Sequence, residues 1–106
     1  MERGPGQAVD TAHRLLALFR EDSLRVQDLG RATANALRVF DALRARPLSS
    51  IKSLVDRTGA AYPTVARAID SLERLGIVRE VTGRKRERVF SYTRYLDILN
   101  EGAEPL

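Results

Sequence analysis

The fold is decided by a central stretch that reads Tyr62-Pro63-Thr64-Val65-Ala66-Arg67-Ala68-Ile69-Asp70-Ser71-Leu72-Glu73-Arg74-Leu75-Gly76. A helix is predicted here because a proline in the first turn loses no hydrogen bond, and a glycine after the last turn ends a helix well. The apolar positions Val65, Ile69 and Leu72 lie on one face of that helix. One side of this helix is therefore expected in a core, and the other in solvent.

The flanking residues complete a known motif. A shorter helix is expected over residues 50–58, capped by Ser49 or Ser50 and ended by Gly59. After the central helix come two extended runs, 77–81 and 89–92, joined by a loop with a glycine for its turn. Helix, turn, helix and hairpin in this order predict a winged helix-turn-helix over residues 47–100, with Phe90 and Tyr92 in its core.

Two further helices are predicted in residues 8–46. The first spans 8–21 and the second 24–44, with a break at Gly30 left open and an end before Pro47. The apolar stripe of the first helix is expected at Val9, Ala12, Leu15, Leu16 and Phe19, while Leu18 lies off it and hints at a second contact surface. Residues 1–7 and 101–106 are expected to be flexible, and a last helix spans 93–100. The predicted fold is mainly α, a winged helix-turn-helix with two additional N-terminal helices and a two-stranded β-hairpin wing.

Composition narrows the classes of function. The 106 residues carry a net charge of +4 and no cysteine, so disulfides and thiolate metal sites are excluded. No signal peptide or membrane-spanning stretch is visible, and a cytoplasmic location without membrane contact is expected. His13 is the only histidine, and no phosphate-binding glycine loop is present. We therefore expect no enzyme activity, no metal and no cofactor in this chain.

The second helix of the motif and the basic hairpin loop predict binding to double-stranded DNA. A helix-turn-helix presents the N-terminal part of its second helix to the major groove, which would bring Tyr62, Thr64, Arg67 and Ser71 to base edges. The cations of the hairpin loop would lie along phosphates; they are Arg84, Lys85, Arg86 and Arg88.

Alternatives remain at each of these positions. Arg67, Asp70 and Arg74 have helical spacings that allow them to pair only with one another. The basic loop could bind an acidic protein surface instead of DNA. The two N-terminal helices could carry more apolar surface than one core covers, which favours a protein-interaction or homodimerisation module as the second hypothesis.

Several segments resemble the C-terminal winged-helix region of bacterial Fic/DOC-family proteins. They are residues 36–43, 63–65, 75–84, 88–90 and 95–102, the last ending in Leu99-Asn100-Glu101-Gly102. The resemblance implies a larger parent protein in which residues 8–46 lead from a catalytic Fic domain that transfers AMP to hydroxyl side chains. The catalytic motif of that family, with its His-Pro pair and Gly-Asn-Gly, is absent here, so the resemblance implies a regulatory domain with the Fic domain as its partner. One departure is Ala61, where relatives tend to have a serine before the Tyr-Pro-Thr triplet.

Overall fold

The computed structural model describes residues 4–83 and 85–103, and it confirms a mainly helical winged helix-turn-helix. Five α-helices and three short strands make up the described chain. In chain order they are α1 (Gly4–Gln27), a 3₁₀ turn (Gly30–Ala32), α2 (Thr33–Ala45), β1 (Leu48–Ser50), α3 (Ile51–Thr58), α4 (Tyr62–Arg74), β2 (Arg79–Glu80), β3 (Val89–Ser91) and α5 (Thr93–Ala103).

The N-terminal helices have other bounds than the sequence predicts. α1 already begins at Gly4, within the expected tail, and continues to Gln27, so residues 24–27 belong to it and not to the second helix. The break left open at Gly30 is present, because this glycine has φ +71°, a conformation that L side chains rarely adopt. Residues 1–3 and 104–106 lie outside the described residues.

The predicted apolar stripe of α1 was partly wrong. Leu16 and Val9 are 62% and 52% exposed, whereas Leu18, placed off the stripe, is buried. The buried face of α1 also includes Asp22 and Val26, since these residues pack toward α2 and α5. Because Asp22 is polar, the periodicity of apolar residues alone does not identify the buried face of α1.

The sheet has three strands instead of the two of a simple hairpin. Its order is β1-β3-β2, all antiparallel, with Ser49 opposite Phe90 and Glu80 also opposite Phe90. The strand Leu48–Ser50 was not predicted because it lacks β-branched and aromatic residues and exists through its pairing with β3. Phe90 and Tyr92 are fully buried, as expected.

α5 runs three residues further than predicted and packs along α1. An ion pair of 2.6 Å joins Arg14 of α1 to Glu101, which was expected to be in a flexible end. Gly102 lies directly against Thr11, where a Cβ atom would have no room. This close approach holds the last turn of α5 in place. No helix in residues 4–83 and 85–103 combines the length and the apolarity needed to cross a membrane.

A buried polar network connects α1 to the rest of the fold. Asp22 is 1% exposed, accepts a hydrogen bond of 2.7 Å from the Tyr92 hydroxyl and pairs with Arg25 at 3.0 Å. Arg25 also donates to the carbonyl of Leu75, at the end of α4. The rings of Phe19, Phe40 and Tyr95 surround Tyr92. All side-chain polar atoms buried within the described residues have a hydrogen-bond partner.

We expect Tyr92→Phe to lower the free energy of unfolding by about 1–3 kcal/mol, because it leaves a buried carboxylate oxygen of Asp22 without its donor. Tyr95→Phe is the matched control, since its hydroxyl donates to the Arg44 carbonyl at an exposed position where water can replace it. Denaturant titration of both variants provides the comparison. Equal losses in the two variants would contradict the importance of the buried network.

The same tyrosine predicts a pH dependence. Burial, followed by the hydrogen bond to Asp22, raises the pKa of Tyr92 well above its ordinary value. The unfolded chain therefore loses this proton first, and the free energy of unfolding decreases as the pH rises above about 10. Tyr92→Phe is expected to flatten this decrease, as measured by denaturant titration at several pH values.

Candidate nucleic-acid interface

The turn between α3 and α4 is fixed by local hydrogen bonds. Ser50 caps the start of α3, since its hydroxyl accepts a hydrogen bond from the Ser53 backbone N–H, and Gly59 ends the helix in the left-handed conformation, with φ +74°. Thr58 accepts a hydrogen bond from the Ala60 backbone at 3.2 Å. Its carbonyl accepts another, of 2.7 Å, from Arg38 of α2. The two helices of the motif are therefore held at a fixed angle before any ligand binds.

Arg57 of α3 belongs to this scaffold and not to a binding surface. Its guanidinium donates to the Ala42 carbonyl at 2.9 Å and to the Ser49 hydroxyl at 2.6 Å. Desolvation and the nearby charge of Arg46 lower the pKa of Arg57. Because the Arg57 guanidinium donates hydrogen bonds within the fold, it is poorly placed to bind a phosphate.

α4 presents three of its four predicted contact residues to solvent. Tyr62 and Arg67 are exposed and Thr64 is half-buried, whereas Ser71 is only 6% exposed. The hydroxyl of Ser71 accepts a hydrogen bond of 3.4 Å from Arg74. Ser71 therefore does not stand with the other three as an exposed contact. As predicted from the sequence, α4 starts without a side-chain cap at Ala61.

Of the two ion pairs that the spacing on α4 allowed, the structure forms the one between Asp70 and Arg74. Asp70 lies 3.9 Å from Arg74, while Arg67 forms no ion pair or hydrogen bond with any part of the chain that the structure describes. The Arg67 guanidinium is thus available to a ligand. Asp70 stays on the same exposed side, half neutralised by Arg74.

The basic loop between β2 and β3, here called the wing, divides into two kinds of cation. Lys85 and Arg86 are exposed at its tip, and Arg84 lies outside the described residues. Arg88 forms an ion pair of 3.1 Å with Glu80 and stacks on the ring of Phe90 at 5.0 Å. The hydrogen bond to Glu80 raises the pKa of Arg88, and Glu73 and Tyr62 of α4 add to the shift. Arg88 therefore joins the two sides of the hairpin at the base of the wing.

Sequence reasoning missed a groove on the other side of α4. The groove measures about 530 Å³ and includes Arg31 from the 3₁₀ turn and Asn35 from the first turn of α2, next to Arg67 and Arg74 of α4. The signal available in the sequence was Gly30, since a break at that glycine brings Arg31 to the beginning of a new helix. Periodicity alone does not say which neighbour that beginning lies against. Within residues 4–83 and 85–103, no three His, Asp or Glu side chains come together as a metal site would require.

Comparisons with known proteins agree with the helix-turn-helix geometry. Residues 32–82, just under half of the chain, match the model of the IclR helix-turn-helix domain. No protein with a curated description shows significant similarity to the chain.

Two solved structures share the fold. BpsR of Bordetella bronchiseptica, whose DNA binding is regulated by 6-hydroxynicotinic acid, superimposes with a TM-score of 0.54 at 18% identity, over 90% of this chain and 86% of that one. The transcriptional regulator PA4135 superimposes with a TM-score of 0.51 at 21% identity, over 95% of this chain and 74% of that one.

The resemblance to Fic/DOC-family proteins was wrong, because the matching family model and the similar structures belong to transcriptional regulators. The segments that carried it include the proline at the start of α4, the Leu75-Gly76 end and the alternation of the hairpin. Those features stabilise any winged helix and do not distinguish one family from another. Residues 32–82 thus form a helix-turn-helix that is similar to the helix-turn-helix domain of IclR proteins.

Proposed function

We propose that this chain binds double-stranded DNA, with α4 in the major groove and the wing along the phosphate backbone, and so regulates transcription. The observation that carries the proposal is Arg67, an exposed cation of α4 with no partner among residues 4–83 and 85–103. Tyr62 and Thr64 lie in the first turn of the same helix. A helix-turn-helix presents this part of its second helix to base edges.

The two surfaces have different tasks in this proposal. Arg67 reads sequence, since a guanidinium donates two hydrogen bonds to the O6 and N7 atoms of guanine. Lys85 and Arg86 at the wing tip contribute affinity for any sequence through release of counterions. Arg88 acts indirectly, because its ion pair with Glu80 joins the two sides of the hairpin at the base of the wing.

The wing is tested by the double variant Lys85→Ala/Arg86→Ala. We expect weaker binding to every duplex, and a slope of log K against log salt that is smaller by about 0.9 for each phosphate that the variant no longer neutralises. The measurement is a fluorescence-anisotropy titration at several salt concentrations. Arg20→Ala/Arg94→Ala, which removes the same charge from exposed positions on α1 and α5, is the control. If the unmodified protein shows no salt-sensitive binding to any duplex at low ionic strength, the proposed function is wrong.

The role of Arg67 is tested by selection from a random duplex library. Arg67→Ala is expected to cost about 1–3 kcal/mol on the preferred sequence and much less on unrelated DNA. Arg67→Lys keeps the charge without the two-pronged geometry, so it should restore the non-specific binding and not the preference. An equal loss on all sequences would assign Arg67 to a phosphate.

We propose self-association through α1 as a second, compatible function. Val9, Leu16 and Leu24 are large apolar residues exposed within one arc of α1, and Ala12 lies between the first two. Two copies of a helix-turn-helix bind two half-sites, which makes a second copy of the chain the natural occupant. This proposal keeps the earlier expectation of a second contact surface on α1, although on other residues.

Analytical sedimentation over a range of protein concentrations tests whether the chain self-associates through α1. We expect the unmodified chain to shift from monomer to dimer, and Leu16→Glu to remain monomeric, because a charge at the centre of the apolar arc would be buried on pairing. Leu48→Glu, at a similarly exposed leucine outside α1, should still dimerise. A monomer at all concentrations of the unmodified chain would contradict self-association.

A further inference from the structure

The groove beside α4 has the chemistry of an anion site. Its two walls come from the start of α2 and from the outer side of α4, and Ala68, which is buried, lies between them. The charged and polar side chains that matter here are Arg31, Asn35, Thr64, Arg67, Asp70 and Arg74. Three of them are guanidinium groups and one is a carboxylate, so the groove carries an excess of positive charge.

Two of the three arginines that line this groove have no ion-pair partner among the described residues. Arg31 and Arg67 form no ion pair or hydrogen bond with the described residues, and Asp70 reaches only Arg74, at 3.9 Å. Like charges confined to one groove repel each other, and an anion bound at Arg31 reduces that repulsion while Arg67 stays available to a base. Asn35 and Thr64 add neutral groups that can donate hydrogen bonds to an oxygen.

The position of the groove is set by the fold. Gly30, at φ +71°, separates α1 from α2 and starts the turn that carries Arg31. α2 packs along α4, and the buried Ala36 is part of its inner face. Arg31 is therefore held at the edge of α4 by two packed helices instead of lying on a free loop.

The wing lies at the opposite edge of α4. Glu73 and Tyr62 of α4, neither of which lines the groove, help to raise the pKa of Arg88 at the base of the wing. α4 thus lies between two basic rims. The major groove of B-DNA, about 12 Å wide, is itself bounded by two phosphate backbones.

We propose that the groove between α2 and α4 binds the phosphate backbone of DNA on the side of α4 away from the wing, with Arg31 as the principal contact. The proposal rests on the proposed DNA binding and adds a second backbone site to it. Contacts to both backbones fix the depth and the register of a recognition helix, and they carry no sequence information themselves. Arg31 thereby positions Arg67 over the base edges.

The variant Arg31→Ala is expected to fold normally, since the side chain has no partner to lose among the described residues. Its binding should weaken by at least about threefold on all duplexes, with a salt slope smaller by about 0.9. Arg20→Ala, an exposed arginine of α1, is the matched control and should change neither quantity. Asp70→Asn removes the carboxylate from the groove and should strengthen binding to all duplexes.

Duplexes with single methylphosphonate substitutions locate the contact. One uncharged phosphate should weaken binding of the unmodified protein and leave Arg31→Ala unaffected, as expected when both changes remove the same interaction.

The inference is overturned if Arg31→Ala keeps full affinity and slope while Lys85→Ala/Arg86→Ala loses them; DNA binding itself would then stand. It is also overturned if Arg31→Ala changes the preferred sequence, which would assign Arg31 to a base. If the unmodified protein binds no duplex, the proposed function itself has failed.

Discussion

The rest of the structure depends on the burial of one face of α4. Val65, Ile69 and Leu72 are almost completely buried where α4 packs on α2 and α3. Burial of each such side chain stabilises the fold by about 1.5–3 kcal/mol, far more than the exposed charges on the other face contribute. Because this contact fixes the rotation of α4 about its axis, it also decides which residues point to solvent. Arg67 is exposed since Val65 and Ile69 are not.

The two edges of α4 follow from the same contact. On one edge, antiparallel pairing of β2 and β3 brings Arg88 to Glu80 at the base of the wing, where Glu73 and Tyr62 of α4 help to raise the pKa of Arg88. On the other edge, the packing of α2 brings Arg31 next to Arg67. The charged side chains at the two edges do not determine their own positions. The pairing of β2 with β3 positions one edge, and the packing of α2 on α4 positions the other. A polar surface of this kind can change its charges without loss of the core, which is how one scaffold serves regulators with different binding sites.

The sequence predicted those features that depend on local chemistry. Pro63, Gly59 and Gly76 mark helix ends through the backbone alone, so α3, α4 and the turn between them were found nearly to the residue. β1 was missed since its stability comes from pairing with β3, which lies far away along the chain. The inner face of α1 was predicted incorrectly because it contains Asp22, an ionisable residue that is normally exposed. Asp22 is buried because it bonds with Tyr92 and Arg25, and the local sequence pattern does not reveal the contact with Tyr92. α4 could be predicted because it depends on the spacing of residues within one helix. The position of Arg31 could not, because it depends on which helices are neighbours in the fold.

The buried network of Asp22 connects the two surfaces to which function is assigned. Arg25 pairs with Asp22 on α1 and donates to the Leu75 carbonyl, where α4 ends. A carbonyl at a helix end has no partner within the helix, so a cation there is favoured by the helix dipole as well as by the hydrogen bond. Any rotation of α1 about its axis would pull Arg25 from the Leu75 carbonyl and separate the Asp22 carboxylate from the Tyr92 hydroxyl, so the loss of both hydrogen bonds opposes the rotation. The apolar arc of Leu16 and the recognition face of α4 are therefore held in one fixed relation, and a second copy bound at the arc would present its own α4 at a defined spacing from the first.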